Sequence, residues 1–169
     1  MRLESINSVD SGGLEDLQSR IDAIQLVHEE LAKAGEVMEV DFPAYLRRLL
    51  EMVFASLHES PVSVTVEVLG NGDKTQRMSS KSAVSMGLVL NELATNAVKY
   101  SFHREKEPWF YVALQSETGE SYLRLTIEHS GPPLPDGFSV EKTNTLGSQL
   151  IKEIVTDQLG GTFEVETNR

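Results

Sequence analysis

The sequence predicts an α+β fold: a two-layer α/β sandwich, one sheet with helices on one face. Several segments place apolar residues at helical spacing, others alternate apolar and polar residues as half-buried strands do, and Gly, Pro and Asn clusters punctuate them. At 169 residues the chain is one domain, or one domain plus an appendage, and long enough to bury a real core.

The first helix is predicted over residues 14–33. Leu14, Leu17, Ile21, Ile24, His28 and Leu31 alternate three and four apart, the seam of a coiled coil or helical bundle. Gly12-Gly13 marks the turn before it and Gly35 the stop after it. Leu3 and Ile6 read as the end of an earlier helix, giving an antiparallel hairpin that dimerises. A second helix starts at Asp41, an N-cap with Pro43 in the first turn, and runs to about Leu57. Val62, Val64, Val66 and Val68 then alternate as a strand. The turn Gly70-Asn71-Gly72-Asp73 predicts a return strand at 74–79. A third helix spans about 81–101. Strands follow at Trp109–Leu114 and Tyr122–Ile127, joined at Thr118-Gly119. Residues 130–145 read as a long loop, a helix follows from Leu146 to Leu159 with Gly160-Gly161 closing it, and Thr162–Val165 reads as a last strand.

Hydrophobic content of 40% and charged content of 24% are those of an ordinary soluble protein. A net charge of −11 argues against sequence-independent nucleic-acid binding, which needs basic surface. The chain has no apolar run of transmembrane length and no signal peptide, so no membrane contact is expected of it. The absence of cysteine excludes disulfides and thiolate metal sites and fits a cytoplasmic location.

The third helix carries the most chemistry. At about 100° per residue, Glu92, Asn96 and Lys99 fall within one narrow arc, separate from an apolar stripe of Met86, Leu90, Leu93 and Ala97. Two readings of that arc stand. It suits a magnesium-bound polyphosphate, with an amide oxygen for the hard cation, a lysine for phosphate charge and a carboxylate to orient the attacking group. It also suits a plain solvated helix face.

Asn91-Glu92-Leu93…Asn96-Ala97…Lys99-Tyr100 resembles the asparagine box of bacterial sensor histidine kinases. Leu134-Pro135…Gly137-Phe138, Thr145-Leu146-Gly147-Ser148-Gln149-Leu150-Ile151 and Gln158-Leu159-Gly160-Gly161-Thr162 resemble their lid and second glycine box. Ile24 to Glu29 is similar to the second dimerisation helix of the HWE-related subgroup. The resemblance implies a Bergerat-type ATP-binding fold of the GHKL class over residues 37–169, and over residues 1–36 part of a dimerisation and histidine-phosphotransfer hairpin. It implies that Asn96 ligates Mg²⁺, that Glu92 orients the nucleophile, and that Lys99 lies near the phosphates and Tyr100 near the nucleotide. Gly147 would let backbone N–H groups approach phosphate between Leu146 and Ser148. His129 and Gly131 stand in the first glycine box. The implied cofactors are ATP and Mg²⁺, and the implied partners are a response regulator and a second copy joined through residues 14–33.

That first glycine box departs from the family pattern, Asp-x-Gly-x-Gly. Here His129-Ser130-Gly131-Pro132-Pro133 puts a histidine at the aspartate position and a proline at the second glycine. Glu128 does not replace the aspartate, because Leu123, Leu125, Ile127 and His129 share one strand parity and Glu128 the other. A neutral imidazole accepts at one nitrogen only, and Pro133 removes an N–H and fixes φ. Weak or absent ATP binding is the expectation.

Residues 1–9 hold no histidine to accept phosphate, so the chain reads as a fragment or a shortened relative. His28 sits on the heptad seam and reads as a buried histidine; His58 and His103 read as surface residues at helix ends. The expected function is the ATP-binding catalytic-type domain of a two-component sensor histidine kinase. The first alternative is a non-catalytic pseudokinase or phosphotransfer-like scaffold. The second, a serine kinase acting on an anti-sigma partner, is disfavoured by the heptad helix.

Overall fold

A computed structural model of the chain describes residues 39–69, 77–116, 122–134 and 145–166, with the isolated positions Gln18, Ile21 and Gln25. Those three are helical and exposed, and Ile21, a seam residue, is 47% exposed in the single chain. The rest of the predicted 14–33 helix, His28 included, lies outside the described residues, as do 70–76, 117–121 and 135–144.

Two short strands launch the two long helices. β1 (Glu39–Asp41) runs directly into α1 (Phe42–Leu57), and β3 (Arg77–Ser79) runs directly into α2 (Ser80–Tyr100). Each strand ends in a cap. Asp41 accepts from the Ala44 N–H at 3.1 Å and Ser79 from the Ser82 N–H at 3.2 Å. A cap of this kind contributes about 1 kcal/mol. β1 and β3 pair antiparallel with Val40 opposite Met78, and Arg77 Nε lies 3.3 Å from the Glu39 carboxylate.

The main sheet has the order β2–β4–β5, where β2 is Ser63–Leu69, β4 is Trp109–Gln115 and β5 is Arg124–His129. β2 lies parallel to β4, with Val66 opposite Val112, and β5 antiparallel to β4, with Ile127 opposite Val112. A parallel pair needs a crossover, and β3 with α2 supplies it. The core lies between α1, α2 and this sheet: Tyr45, Leu46, Leu49 and Leu50 meet Leu90 and Ala94 above Phe110, Val112 and Leu114.

A second, smaller cluster covers the other side of α2. Val89 packs there with Ile151 of α3 (Leu146–Glu153) and with Ile154 and Val155 of the π turn that follows, Ile154–Gln158. Leu88, Leu93 and Phe163 lie against it.

Four expectations need correction. The strand before α2 does not return onto β2; its residues 77–79 pair with β1, because Phe110, Val112 and Leu114 of β4 offer β2 an apolar partner that the polar 74–79 segment cannot. The described strands therefore form two sheets rather than one. Thr162–Val165 forms no strand; no described neighbour pairs with it, and Phe163 turns to the second cluster while Val165 is exposed. The expected 146–159 helix changes pitch at Ile154, where the Leu159 N–H reaches the Ile154 carbonyl at 3.0 Å, before Gly160 turns the chain with φ +65°.

Candidate functional site

Because two clusters grip α2 from opposite sides, its apolar stripe is divided. Leu90 and Ala97 join the main core, Leu93 the second cluster, and Met86 touches both. Glu92 points into the second contact and is 8% exposed, so a solvated face is the wrong description of that residue. A carbon added at Gly147 would stand 2.7 Å from Glu92 Oε2, so a larger residue there would make the carboxylate shift. The expectation reserved that room for phosphate. In the free chain the Glu92 carboxylate stands against it.

α3 runs antiparallel to α2. Gly147 stands beside Glu92, Ile151 in the cluster with Val89, and the Ser85 hydroxyl donates to Gln158 Oε1 at 2.9 Å. The N-terminus of α3 therefore faces the turns of α2 that follow Glu92, where Thr95, Asn96, Lys99 and Tyr100 stand. A helix N-terminus presents unpaired N–H groups and a partial positive charge. Asn96, Lys99 and Tyr100 are exposed, Tyr100 to 67%. Thr95 is 5% exposed and its Oγ1 has no hydrogen-bond partner.

α3 opens with a capping box. Thr145 Oγ1 accepts the Ser148 N–H at 3.2 Å, and Ser148 Oγ accepts the Thr145 N–H at 3.0 Å. The N–H of Ser148 is thus engaged by the cap, leaving Leu146 and Gly147 to supply first-turn N–H groups.

The far end of the arrangement lies where β5 meets the end of α2. The His129 ring stacks flat on Phe110 with centroids 6.1 Å apart and meets Phe102 edge-on at 6.0 Å. Its Nδ1 lies 2.8 Å from the Ser130 carbonyl oxygen. A carbonyl only accepts, so Nδ1 carries the proton and Nε2 of the neutral ring is an acceptor. Gly131 has φ +126°, and a carbon added there would collide with the Ser101 side chain, so the first glycine of the box is needed for both conformation and space. Pro132, Pro133 and Leu134 are exposed.

Strand parity is as expected. Glu128 stands opposite Tyr111, and Tyr111 donates to Glu67 Oε2 at 2.9 Å. That bond, with the nearby carboxylates of Glu67 and Glu128, pushes the Tyr111 phenol up from its usual range. His58 differs from expectation: it is half-buried, its ring edge-on to Phe102 at 5.9 Å, with Nδ1 2.8 Å from the Ser60 carbonyl. His103 is exposed.

Sequence reasoning missed Thr95 and the Ser85–Gln158 bond. Thr95 lies inside the motif and close to the Glu92–Lys99 arc, so its position was a signal; its burial was not. An open groove between Ser60–Ser63 and Lys106–Pro108 shares no residue with this arrangement. Among the described residues no three His, Cys, Asp or Glu cluster as a metal site, and no helix is long and apolar enough to cross a membrane.

Residues 2–57 match the family HisKA_2, histidine kinase. The chain is 26% identical over 144 residues to the sensor histidine kinase PdtaS of Mycolicibacterium smegmatis, covering 85% of this chain and 28% of that protein. To PdtaS of Mycobacterium tuberculosis it is 25% identical over 173 residues, covering 100% of this chain and 33% of that protein. The chain thus spans about a third of the length of these curated relatives. The solved histidine kinase domain of the Erythrobacter litoralis EL346 blue-light activated histidine kinase superposes with a TM-score of 0.76 at 23% identity, over 94% of this chain and 76% of that one. That superposition establishes the fold.

Proposed function

We propose that the chain is a relative of the HWE-type sensor histidine kinases, an ATP-binding, catalytic-type domain with part of a dimerisation hairpin. The division falls near residue 37. One observation carries the reading: the antiparallel packing of α3 on α2 aims a helix N-terminus at the turns bearing Thr95, Asn96 and Lys99, beside the buried carboxylate of Glu92.

These residues fit magnesium and a polyphosphate. An amide oxygen at Asn96 suits a hard cation, the Lys99 ammonium and the first-turn N–H groups of Leu146 and Gly147 suit phosphate oxygens, and Tyr100 is free to lie along the nucleotide. When bound, Mg-ATP supplies the transferable phosphoryl group. Glu92, partly shielded from water, orients the nucleophilic imidazole of a histidine on a dimerisation helix. Its carboxylate holds that ring's N–H and so leaves the opposite nitrogen free to attack. In the intact relative the phosphoryl group then passes to a response regulator, and Ile21 with its seam neighbours joins two copies. A cytoplasmic location suits these partners.

The base end fits less well. His129 offers one neutral acceptor where a carboxylate would accept with charge, and Pro133 offers no N–H. Weak ATP binding follows, poorer than micromolar. A calorimetric titration of the chain with Mg-ATP tests it: micromolar affinity overturns the weak-binding reading, and His129→Asp with Pro133→Gly should strengthen whatever binding exists. A second reading draws on the same ring, whose stacking on Phe110 gives it a structural duty: a scaffold that keeps the kinase fold and no longer uses ATP. No heat of binding in either the natural chain or the double variant favours the scaffold.

A further inference from the structure

We propose that Thr95 is an additional ligand-binding residue, whose hydroxyl donates to a phosphate oxygen of a magnesium-bound polyphosphate held at the N-terminus of α3. The inference rests on the phosphate half of the proposed function and adds a residue to it.

Two independent observations meet at Thr95. The first is its oxygen. Thr95 is 5% exposed, and its Oγ1 is the one buried side-chain polar atom among the described residues without a hydrogen-bond partner. Folded proteins leave few such groups, because an unpaired buried hydroxyl is destabilising. The ordinary remedy inside a helix is a bond to the carbonyl four residues back, here that of Asn91, and Thr95 does not make it. An apolar side chain of the same shape would serve packing better.

The second observation is its place. Gly147 stands against Glu92, Ile151 clusters with Val89 and Gln158 bonds Ser85, so α3 descends along α2 and its N-terminus faces the next turn up. Thr95 belongs to that turn, about 4.5 Å further along the axis than Glu92, about 60° round from it and about 40° from Lys99. An anion that binds the first-turn N–H groups of α3 is thereby brought beside the hydroxyl. The hydroxyl proton gives such an anion a neutral donor beside the charged one at Lys99. Its unpaired state in the free chain is then relieved by the ligand.

The test uses the full chain and Mg-tripolyphosphate, a probe with no base, so that His129 and Pro133 do not enter. Thr95→Val removes the hydroxyl and keeps the shape; Thr95→Ser keeps the hydroxyl. The valine variant should melt at or above the natural chain, because an unpaired polar group has been replaced by an apolar one. Its affinity for Mg-tripolyphosphate should fall roughly ten- to a hundredfold, as loss of a hydrogen bond to a charged group predicts. The serine variant should stay within about threefold of the natural chain. Valine binding equal to the natural chain, serine as weak as valine, or no binding of the probe by the folded natural chain would each overturn the assignment. Binding of tripolyphosphate without binding of Mg-ATP sinks the nucleotide reading and leaves Thr95 assigned. Mg-ATP bound equally by the natural chain and the valine variant does the reverse.

Discussion

Tyr45 is the largest side chain wholly removed from solvent, and it fits because α2 carries glycine at position 87. A carbon added at Gly87 would collide with the Tyr45 hydroxyl oxygen. Glycine inside a helix costs about 1 kcal/mol against alanine, and here it leaves room for the Tyr45 ring and hydroxyl. Gly87→Ala should therefore destabilise by about 1–2 kcal/mol, the overpacking penalty less the gain in helix propensity. Urea denaturation measures it. In a Tyr45→Phe background the nearest obstructing atom is gone while the ring carbons Cζ and Cε1, 2.9 and 3.2 Å from the added carbon, remain, so the penalty of the same change should shrink without vanishing. Equal penalties in both backgrounds would show that the hydroxyl is not what the glycine accommodates. Gly147 differs from Gly87: the atom nearest its missing side chain is Glu92 Oε2, the end of a side chain that can swing aside.

At the scale of elements, what was legible in the sequence was local. Asp41 and Pro43 announced the start of α1, and the cap forms where they announced it. The parity of β5 was readable because alternation is a property of adjacent residues, and it placed His129 on the face of Ile127. The partner of β2 was not readable. The turn-like Gly70-Asn71-Gly72-Asp73 is a local signal, while the choice of Phe110, Val112 and Leu114 as neighbours is made some forty residues away in the chain. The burial of Glu92 escaped for the same reason, since it depends on where α3 docks. How α3 starts is again local. Thr145→Ala removes the acceptor for the Ser148 N–H and should cost about 1 kcal/mol, seen as roughly fivefold faster amide exchange in the first turn of α3. Thr145→Ser should restore the natural rate. Unchanged exchange in the alanine variant would mean that packing, not the cap, fixes the helix start.

The whole molecule is asymmetric about α2, and this bears on function. On one side α1 and the sheet hold α2 through a core of aromatic and aliphatic side chains; on the other, α3 and the π turn hold it through Val89, Ile151, Ile154 and Val155 with a few half-buried neighbours. Burial at about 25 cal/mol per Å² makes the first contact far the stronger, so α3 should open at a lower free energy than the domain unfolds. That smaller contact also sets Gly147 against Glu92 and aims the helix N-terminus. Ile151→Ala, which removes a side chain 4% exposed, should cost about 2–4 kcal/mol locally. Native-state hydrogen exchange should show amides of α3 and the π turn losing protection while those of α1 and β4 keep theirs. Leu90→Ala, in the main core, should weaken protection throughout. Binding of Mg-tripolyphosphate should fall in the Ile151 variant in proportion to the open fraction of α3, because open molecules lack the N–H groups that face the anion. A uniform loss of protection in the Ile151 variant would mean that the two clusters unfold as one unit, and the phosphate end of the site would then be as rigid as the core beneath it.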